Sequence, residues 1–109
     1  MNKRASVNDI LIRIQAAANE KGVNLTYTNK MVYLKLIDFA GKHCETDYPV
    51  WIKFRATTLV LAEYCDVSPR IITESLRKLD ACGVLKYIVH RPYPSIVMLL
   101  KKYFEPKKG

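Results

Sequence analysis

The spacing of apolar residues near the start of the chain predicts a first helix. A stripe with a period of 3.6 residues runs through Val7, Ile10, Leu11, Ile14, Ala17 and Ala18. Ser6 and Asp9 stand at the spacing of an N-cap and its third following residue, and Gly22 suits a left-handed cap at the far end. We therefore expect a helix over residues 6–21 whose apolar face packs on the rest of the domain or on a second copy of the chain.

A second helix is predicted from about Asn29 to His43, with Thr28 as its N-cap. Its apolar residues cover more than one side of the helix, namely Met31, Val32, Tyr33, Leu34, Leu36, Ile37, Phe39 and Ala40. A helix that is apolar on several sides is buried on several sides. We expect its second contact to be helix 6–21 or a dimer partner.

Alternation of side chains over residues 50–55 predicts a short strand, since its apolar positions recur with a period of two. Thr57 or Thr58 then supplies the N-cap of a short helix that ends at about Tyr64.

The next helix, over residues 69–81, has clear signals at both ends. Ser68 is a good N-cap, and Pro69 falls at the first helical position, where a missing N–H costs nothing. Its inward side is predicted to carry Ile72, Ser75, Leu76 and Leu79. Gly83 ends the helix. The short connection through residues 65–67 predicts a steep crossing with the preceding helix.

From Val84 onward the apolar runs are rich in residues that favour strands. The runs "VLKYIVHR" and "SIVMLLKKY" are separated by "PYPS", whose prolines cannot remain in a strand ladder. They predict a hairpin over residues 84–101, followed by a short basic tail, 104–109, that we expect to fray. The order α-α-β-α-α-β-β indicates an α+β fold, mainly α, without the alternation of a doubly wound sheet.

In this order the elements resemble the winged helix-turn-helix family of DNA-binding domains. The segment "LAEYCDVSPRIITESLRKLDACGVL" is similar to the family pattern of Leu-Ala, a turn that ends in Val-Ser, an apolar-patterned helix and a closing glycine. The pattern falls on Leu61, Ala62, Val67, Ser68, Ile72, Leu76, Leu79, Gly83, Val84 and Leu85. The resemblance extends over about residues 28–102 and implies a winged helix-turn-helix domain over residues 28–103. Residues 1–27 lie outside the resemblance, and we expect them to form an extra helix and connector for packing or dimerisation.

The resemblance also implies a DNA-binding surface. Helix 69–81 would be a recognition helix in the major groove, and hairpin 84–101 would be a wing against the backbone or minor groove. The implied contacts are Ser68, Arg70, Ile71, Thr73, Glu74, Arg77, Lys78, His90, Arg91 and Tyr93. Arg70 and Thr73 are the best candidates for base edges. Arg77 and Lys78 lie a turn later and suit phosphates.

Two departures from the family pattern concern the turn and the preceding helix. Asp66 stands where glycine is common, which requires the aspartate to adopt a left-handed conformation. Leu59 and Val60 stand where polar residues are common, so we expect helix 6–21 or a partner to cover them. The predicted dimer or partner interface comprises Ile10, Leu11, Ile14, Leu59 and Val60.

A third departure is Glu74, at a position where basic or neutral residues are usual. Its carboxylate can accept a hydrogen bond from a cytosine amino group. It can instead pair with Arg70 or Lys78, each four residues away, and merely orient them. Helix geometry favours the pairing.

The charge distribution agrees with a polyanionic partner. The 109-residue chain has a formal charge of +8 and a pI of about 9.5. Residues 67–109 carry nine Lys/Arg against three Asp/Glu, whereas residues 1–66 carry nine against seven. No apolar run reaches the length of a membrane span, and the N-terminus lacks a signal-peptide core. We expect a cytoplasmic protein associated with nucleoid or plasmid, with no membrane contact.

Catalytic and metal chemistry find little support. The glycines stand singly, and no spacing brings a nucleophile and base together, so we expect no enzyme activity. Cys44, Cys65 and Cys82 form no metal-ligand spacing and are expected to be buried, reduced thiols; neither metal nor cofactor is predicted.

The resulting hypothesis is sequence-specific binding of double-stranded DNA by a homodimer. The protein would be a transcriptional regulator or an accessory factor of plasmid or phage replication or partition. One alternative is a protein-interaction winged helix within a replication or conjugation complex. The other is non-specific or single-stranded DNA binding, driven by charge and by the seven tyrosines.

Overall fold

The computed structural model describes residues 4–90 and 94–106. Within these ranges it contains four helices and one antiparallel sheet of four strands. The helices are α1 (Val7–Lys21), α2 (Tyr27–His43), α3 (Thr58–Cys65) and α4 (Pro69–Ala81). The strands are β1 (Thr46–Asp47), β2 (Trp51–Ala56), β3 (Leu85–Ile88) and β4 (Ser95–Leu100), and a single 3₁₀ turn follows at Lys101–Tyr103. The predicted α+β class, mainly α, is confirmed.

Three helices begin at N-caps among those that the sequence predicts. The hydroxyls of Ser6, Thr57 and Ser68 each accept a hydrogen bond from the N–H three residues on, at 3.1, 3.1 and 3.2 Å. Thr57, not Thr58, is therefore the cap of α3. In the turn between α3 and α4, Asp66 has a φ of 57°, so the left-handed conformation predicted there is confirmed.

α2 begins two residues earlier than predicted, at the cap Thr26 in place of Thr28. The Thr26 hydroxyl accepts from the backbone N–H of Asn29, and the Asn29 side-chain oxygen accepts from the N–H of Thr26. This is a reciprocal capping box with asparagine in the position where Glu or Gln is usual. It satisfies the backbone N–H groups of Thr26 and Asn29 at the helix end.

The sheet has the strand order β1-β2-β4-β3, with β4 between β2 and β3. Val97 in β4 is paired with Phe54 on one side and with Tyr87 on the other. The side chains of Phe54, Val97 and Leu99 are buried beneath the helices. β1 was not predicted, because a strand of two residues is too short to show a period of two.

α1 contributes to the same core as the rest of the chain. It packs against α2, α4 and the 3₁₀ turn. Ile10 and Ile14 are completely buried within one chain, and Leu11 is half-buried against the same cluster. The prediction that Ile10 and Ile14 form a surface for a second copy is therefore wrong, because their apolar face is already covered by this chain.

The chain beyond the 3₁₀ turn is also part of the core. Phe104 is buried, and its carbonyl accepts a hydrogen bond from the N–H of Ala5 at 2.8 Å. Arg13 donates to the carbonyl of Glu105 at 2.6 Å. The expectation that the tail frays is therefore wrong at Phe104 and Glu105, while 107–109 lie outside the described residues. One buried cluster runs from Ile10 to Phe104, so segments 1–27 and 28–103 share a core.

Candidate nucleic-acid interface

α4 has a buried side and an exposed side, as its periodicity predicts. The buried side consists of Ile72, Ser75, Leu76 and Leu79. The opposite side presents Arg70, Glu74 and Arg77, which are all exposed. Their spacing of four and then three residues aligns them along one face of the helix. α4 therefore exposes a line of two arginines with a carboxylate between them.

Ile71, Thr73 and Lys78 flank this line and are half-buried. The Thr73 hydroxyl donates to the carbonyl of Pro69 at 3.2 Å. The Lys78 ammonium donates to the carbonyl of Asn24 at 3.2 Å, which holds it towards the connection between α1 and α2. Arg70, Thr73, Glu74, Arg77 and Lys78 together line a shallow depression of about 500 Å³. Five of the predicted contacts therefore share one surface.

Glu74 does not make the ion pair that helix geometry favours. Among the described residues, no Lys or Arg nitrogen lies within 4.0 Å of its carboxylate. Lys78 is held by the Asn24 carbonyl instead. An exposed pair at this spacing stabilises a helix by only about 0.2–0.5 kcal/mol, so a competing backbone acceptor is enough to redirect the lysine. The predicted pairing is wrong for this structure.

A buried hydrogen bond fixes the position of α4 against α2. The side-chain nitrogen of Asn29 donates to the Ser75 hydroxyl at 2.8 Å, and both side chains are buried. Asn29 also forms the capping box of α2 with Thr26, so hydrogen bonds to both Thr26 and Ser75 hold it in place. α4 cannot rotate about its axis without losing this bond. The exposed line on its other side is thereby held in a fixed direction.

The β3–β4 hairpin is attached directly to α4. The backbone N–H of Tyr87 in β3 donates to the carboxylate of Asp80 in the last turn of α4, at 3.0 Å. A polar depression of about 200 Å³ separates the hairpin from α4 and the start of α3. Its lining residues are Thr57, Thr58, Thr73, Arg77, Tyr87, Val89, Pro94 and Ser95. Arg77 lines both depressions and therefore lies at the junction of the α4 face and the hairpin.

The remaining predicted contacts have different surroundings. Ser68 is exposed, but its hydroxyl already accepts the Ile71 N–H as the cap of α4. His90 is exposed just beyond the end of β3. Arg91 and Tyr93, predicted at the hairpin tip, lie outside the described residues.

Leu59 and Val60 on α3 are 70% and 49% exposed. The expectation that helix 6–21 covers them is wrong, because α1 packs against α2, α4 and the 3₁₀ turn instead. Val60 borders a depression of about 480 Å³ with Phe39, His43, Glu63 and Tyr64. Of the five residues in the predicted interface, these two are the ones whose side chains remain exposed.

The start of α2 is a neighbour of α4 that the sequence pattern did not indicate. The carbonyl of Asn24 binds Lys78, and Asn29 binds Ser75, so the segment between them runs beside α4. Tyr27, the first residue of α2, lies in this segment and is 74% exposed. The signal that could have found it is the Thr26–Asn29 capping box, which places the start of the helix at Tyr27.

The cysteines occupy environments that suppress thiolate formation. Burial raises the pKa of Cys65 to about 11 and also raises the pKa of Cys82. Desolvation raises the pKa of Cys44 as well, although this residue is exposed and the prediction that it is buried is wrong. Because the thiolate is the nucleophilic form, all three side chains are poor nucleophiles at neutral pH.

Two features of the described residues bear on other classes of function. No group of three or more His, Cys, Asp or Glu in these residues is arranged to hold a metal ion. No helix within the same ranges combines the length and the apolar character needed to cross a bilayer. Comparisons with models of protein families, with curated proteins and with solved structures find no match. The function is therefore inferred from the geometry of α4 and its neighbours.

Proposed function

We propose that the protein binds double-stranded DNA, with α4 as a recognition helix in the major groove. The observation that carries the proposal is the exposed pair Arg70 and Arg77 on a helix whose opposite side is fixed in the core. The major groove is wide enough to admit an α-helix, and its base edges match the hydrogen-bond donors of arginine. A helix held in one rotational position presents these donors to the base edges in a fixed direction.

The winged helix-turn-helix interpretation is supported by the arrangement around α4. α3, a short turn and α4 are followed at once by the β3–β4 hairpin, which would be the wing. β4 lies between β2 and β3, so the strand before α3 belongs to the same sheet as the hairpin. The left-handed Asp66 provides the turn between the two helices.

The positions of the basic residues suggest different roles in binding. Arg70 lies in the first turn of α4, where a bidentate contact with guanine would read sequence. Arg77 lies beside the wing, where a phosphate contact would set affinity and salt dependence. Lys78 is held by Asn24, so its remaining N–H groups would meet a phosphate beside the start of α2. Tyr27 would flank the same strand.

The test is the affinity for duplexes selected from random sequence, measured across a salt titration. Arg70→Ala and Arg77→Ala should each weaken binding by about 1–3 kcal/mol, and Arg77→Ala should also reduce the salt slope by about one. Lys42→Ala is the matched control, because this exposed lysine lies about 20 Å along α2 from Asn29. Unchanged affinity in both arginine variants, or no duplex binding by the wild type at low salt, would refute the proposal.

Sequence-specific binding of this kind suits a transcriptional regulator or an accessory factor of plasmid or phage replication or partition. We expect a cytoplasmic homodimer that reads two half-sites about 10 bp apart, or a multiple of that distance. Competition by single-stranded and scrambled duplex DNA separates this expectation from non-specific or single-strand binding. A scrambled duplex that competes as well as the selected one would favour the non-specific alternative.

A second candidate function is docking to a protein partner, and one observation favours it. Leu59 and Val60 expose apolar surface beside the depression at the end of α2. The same surface could join two copies of this chain or attach it to a replication or conjugation complex. Leu59→Ser with Val60→Ser, compared with the wild type by analytical ultracentrifugation, tests self-association. A monomeric wild type would favour the partner protein.

A further inference from the structure

Glu74 occupies the middle of the exposed line on α4, four residues after Arg70 and three before Arg77. Within the described parts of the chain, its carboxylate has no cation within 4.0 Å. Lys78, which has the right spacing to neutralise it, is bound to the carbonyl of Asn24. The carboxylate therefore faces outward without an ion-pair partner, on a surface otherwise suited to a polyanion.

A carboxylate in this position opposes non-specific DNA binding. Phosphate oxygens repel it, and the two flanking arginines would bring it close to the groove. On a recognition helix laid in the major groove, the N-terminal turns of the exposed face contact the base edges, while the sides of the helix approach the phosphates. Glu74 lies one turn after Arg70 on that face. What the carboxylate meets is therefore decided by the base pair beneath it.

The four bases differ in whether their major-groove edges donate a hydrogen bond to a carboxylate, which can only accept one. Guanine presents two acceptors and thymine presents one, so both repel a carboxylate. Adenine presents an amino donor beside the N7 acceptor, which makes it a mixed surface. The cytosine amino donor has an acceptor on one side only, the O6 of its guanine partner, whereas the adenine amino donor lies between its own N7 and the thymine O4. Cytosine is therefore the edge that glutamate binds.

We infer that Glu74 is a specificity-determining residue that selects a C·G base pair beneath the middle of α4 and rejects other duplex sequences. The inference rests on the proposed function of α4. Glu74 adds a favourable hydrogen bond at the correct base and electrostatic repulsion elsewhere, so it gains selectivity from both. Arg70 and Arg77 provide the general attraction that offsets this repulsion.

The decisive variants are Glu74→Ala and Glu74→Gln, used in selection of bound sequences from random duplexes. The wild type should enrich cytosine at one position in each half-site. Glu74→Ala should lose that enrichment, with a roughly tenfold fall in discrimination at this position, and should bind a scrambled duplex several-fold more tightly. Glu74→Gln should shift the preference to adenine, because the glutamine amide matches the adenine N6 and N7 groups.

Glu20→Gln is the matched control, since Glu20 is an exposed glutamate on α1, beside Lys102 and Tyr103 and away from the line on α4. It should change neither the selected sequence nor the affinity for scrambled duplex. Persistence of the cytosine preference in Glu74→Ala, with the wild type still selecting DNA, would overturn this inference and leave the proposed function standing. A wild type that binds no duplex at low salt would overturn both.

Discussion

The side-chain nitrogen of Asn29 and the hydroxyl of Ser75 form a buried hydrogen bond of 2.8 Å between α2 and α4. The bond joins the N-terminal capping box of one helix to the inward side of the other. A buried amide that loses its partner keeps the full cost of desolvation. Removing one partner of this hydrogen bond therefore costs more stability than the intact bond contributes. The bond fixes the helix that carries Arg70, Glu74 and Arg77, without itself reaching the surface.

Ser75→Ala should lower the free energy of unfolding by about 1–3 kcal/mol, because the Asn29 amide is then buried without its acceptor. Equilibrium urea denaturation measures the change. A double-mutant cycle with Asn29→Ala separates the hydrogen bond from the loss of the capping box. Strictly additive effects of the two substitutions would show that the bond contributes nothing to stability.

Tyr33→Phe should keep or raise stability, by up to about 1 kcal/mol. The Tyr33 hydroxyl is buried and has no hydrogen-bond partner among the described residues. Burial raises the pKa of this phenol well above its ordinary value of 10.0, so the hydroxyl stays neutral. Tyr64→Phe is the matched control, because the Tyr64 hydroxyl donates to Asp38 and its removal should be destabilising. A loss of stability in Tyr33→Phe alone would contradict the prediction.

Asp38 should make the protein less stable in acid. The hydrogen bond from Tyr64, followed by the charges of Lys42 and Arg4, lowers the pKa of Asp38 below its ordinary value of 3.8. The unfolded chain therefore takes up a proton before the folded chain does, and stability falls as the pH drops from about 3.8 through the folded pKa. Urea midpoints measured down to about pH 2 should fall less steeply in Asp38→Asn. An identical pH dependence in that variant would exclude this residue as the cause.

Asp66→Gly should stabilise the protein by roughly 0.5 kcal/mol, and Asp66→Val should destabilise it by more than about 1 kcal/mol. The left-handed φ of 57° is easily adopted by glycine and costs a branched side chain most. The gain from glycine is small because its unfolded chain has more conformational freedom to lose. Thermal denaturation of the three proteins ranks them, and an Asp66→Val protein as stable as the wild type would contradict the argument.

Local sequence signals predict the individual helices and strands more reliably than they predict which surfaces pack against one another. The cap and proline at Ser68 and Pro69 act within one turn, so the start of α4 was predicted to the residue. The apolar stripe of α1 predicts that Ile14 is buried, but it does not predict which surface covers the residue. Burial against this chain and burial against a second copy require the same apolar pattern.

The candidate site shows the same division between local and long-range interactions. The outward direction of Arg70 and Arg77 follows from helical periodicity alone. The capture of Lys78 by the Asn24 carbonyl depends on packing between residues 54 positions apart, which no helical spacing reveals. That long-range contact removes Lys78 as a partner, and Glu74 forms no ion pair with any of the described residues. The property that gives Glu74 its proposed role was therefore accessible only from the structure.

Phe104 offers the sharpest test of how the end of the chain contributes to the core. Its side chain is buried and its backbone is bonded to Ala5 and Lys101, so Phe104→Ala should cost about 3–5 kcal/mol. This is a large part of the stability of a small domain. Phe104→Leu is the control, because it keeps most of the apolar volume and should cost less than about 1.5 kcal/mol. Urea denaturation compares the two variants, and a Phe104→Ala protein as stable as the wild type would restore the view that this segment is a frayed tail.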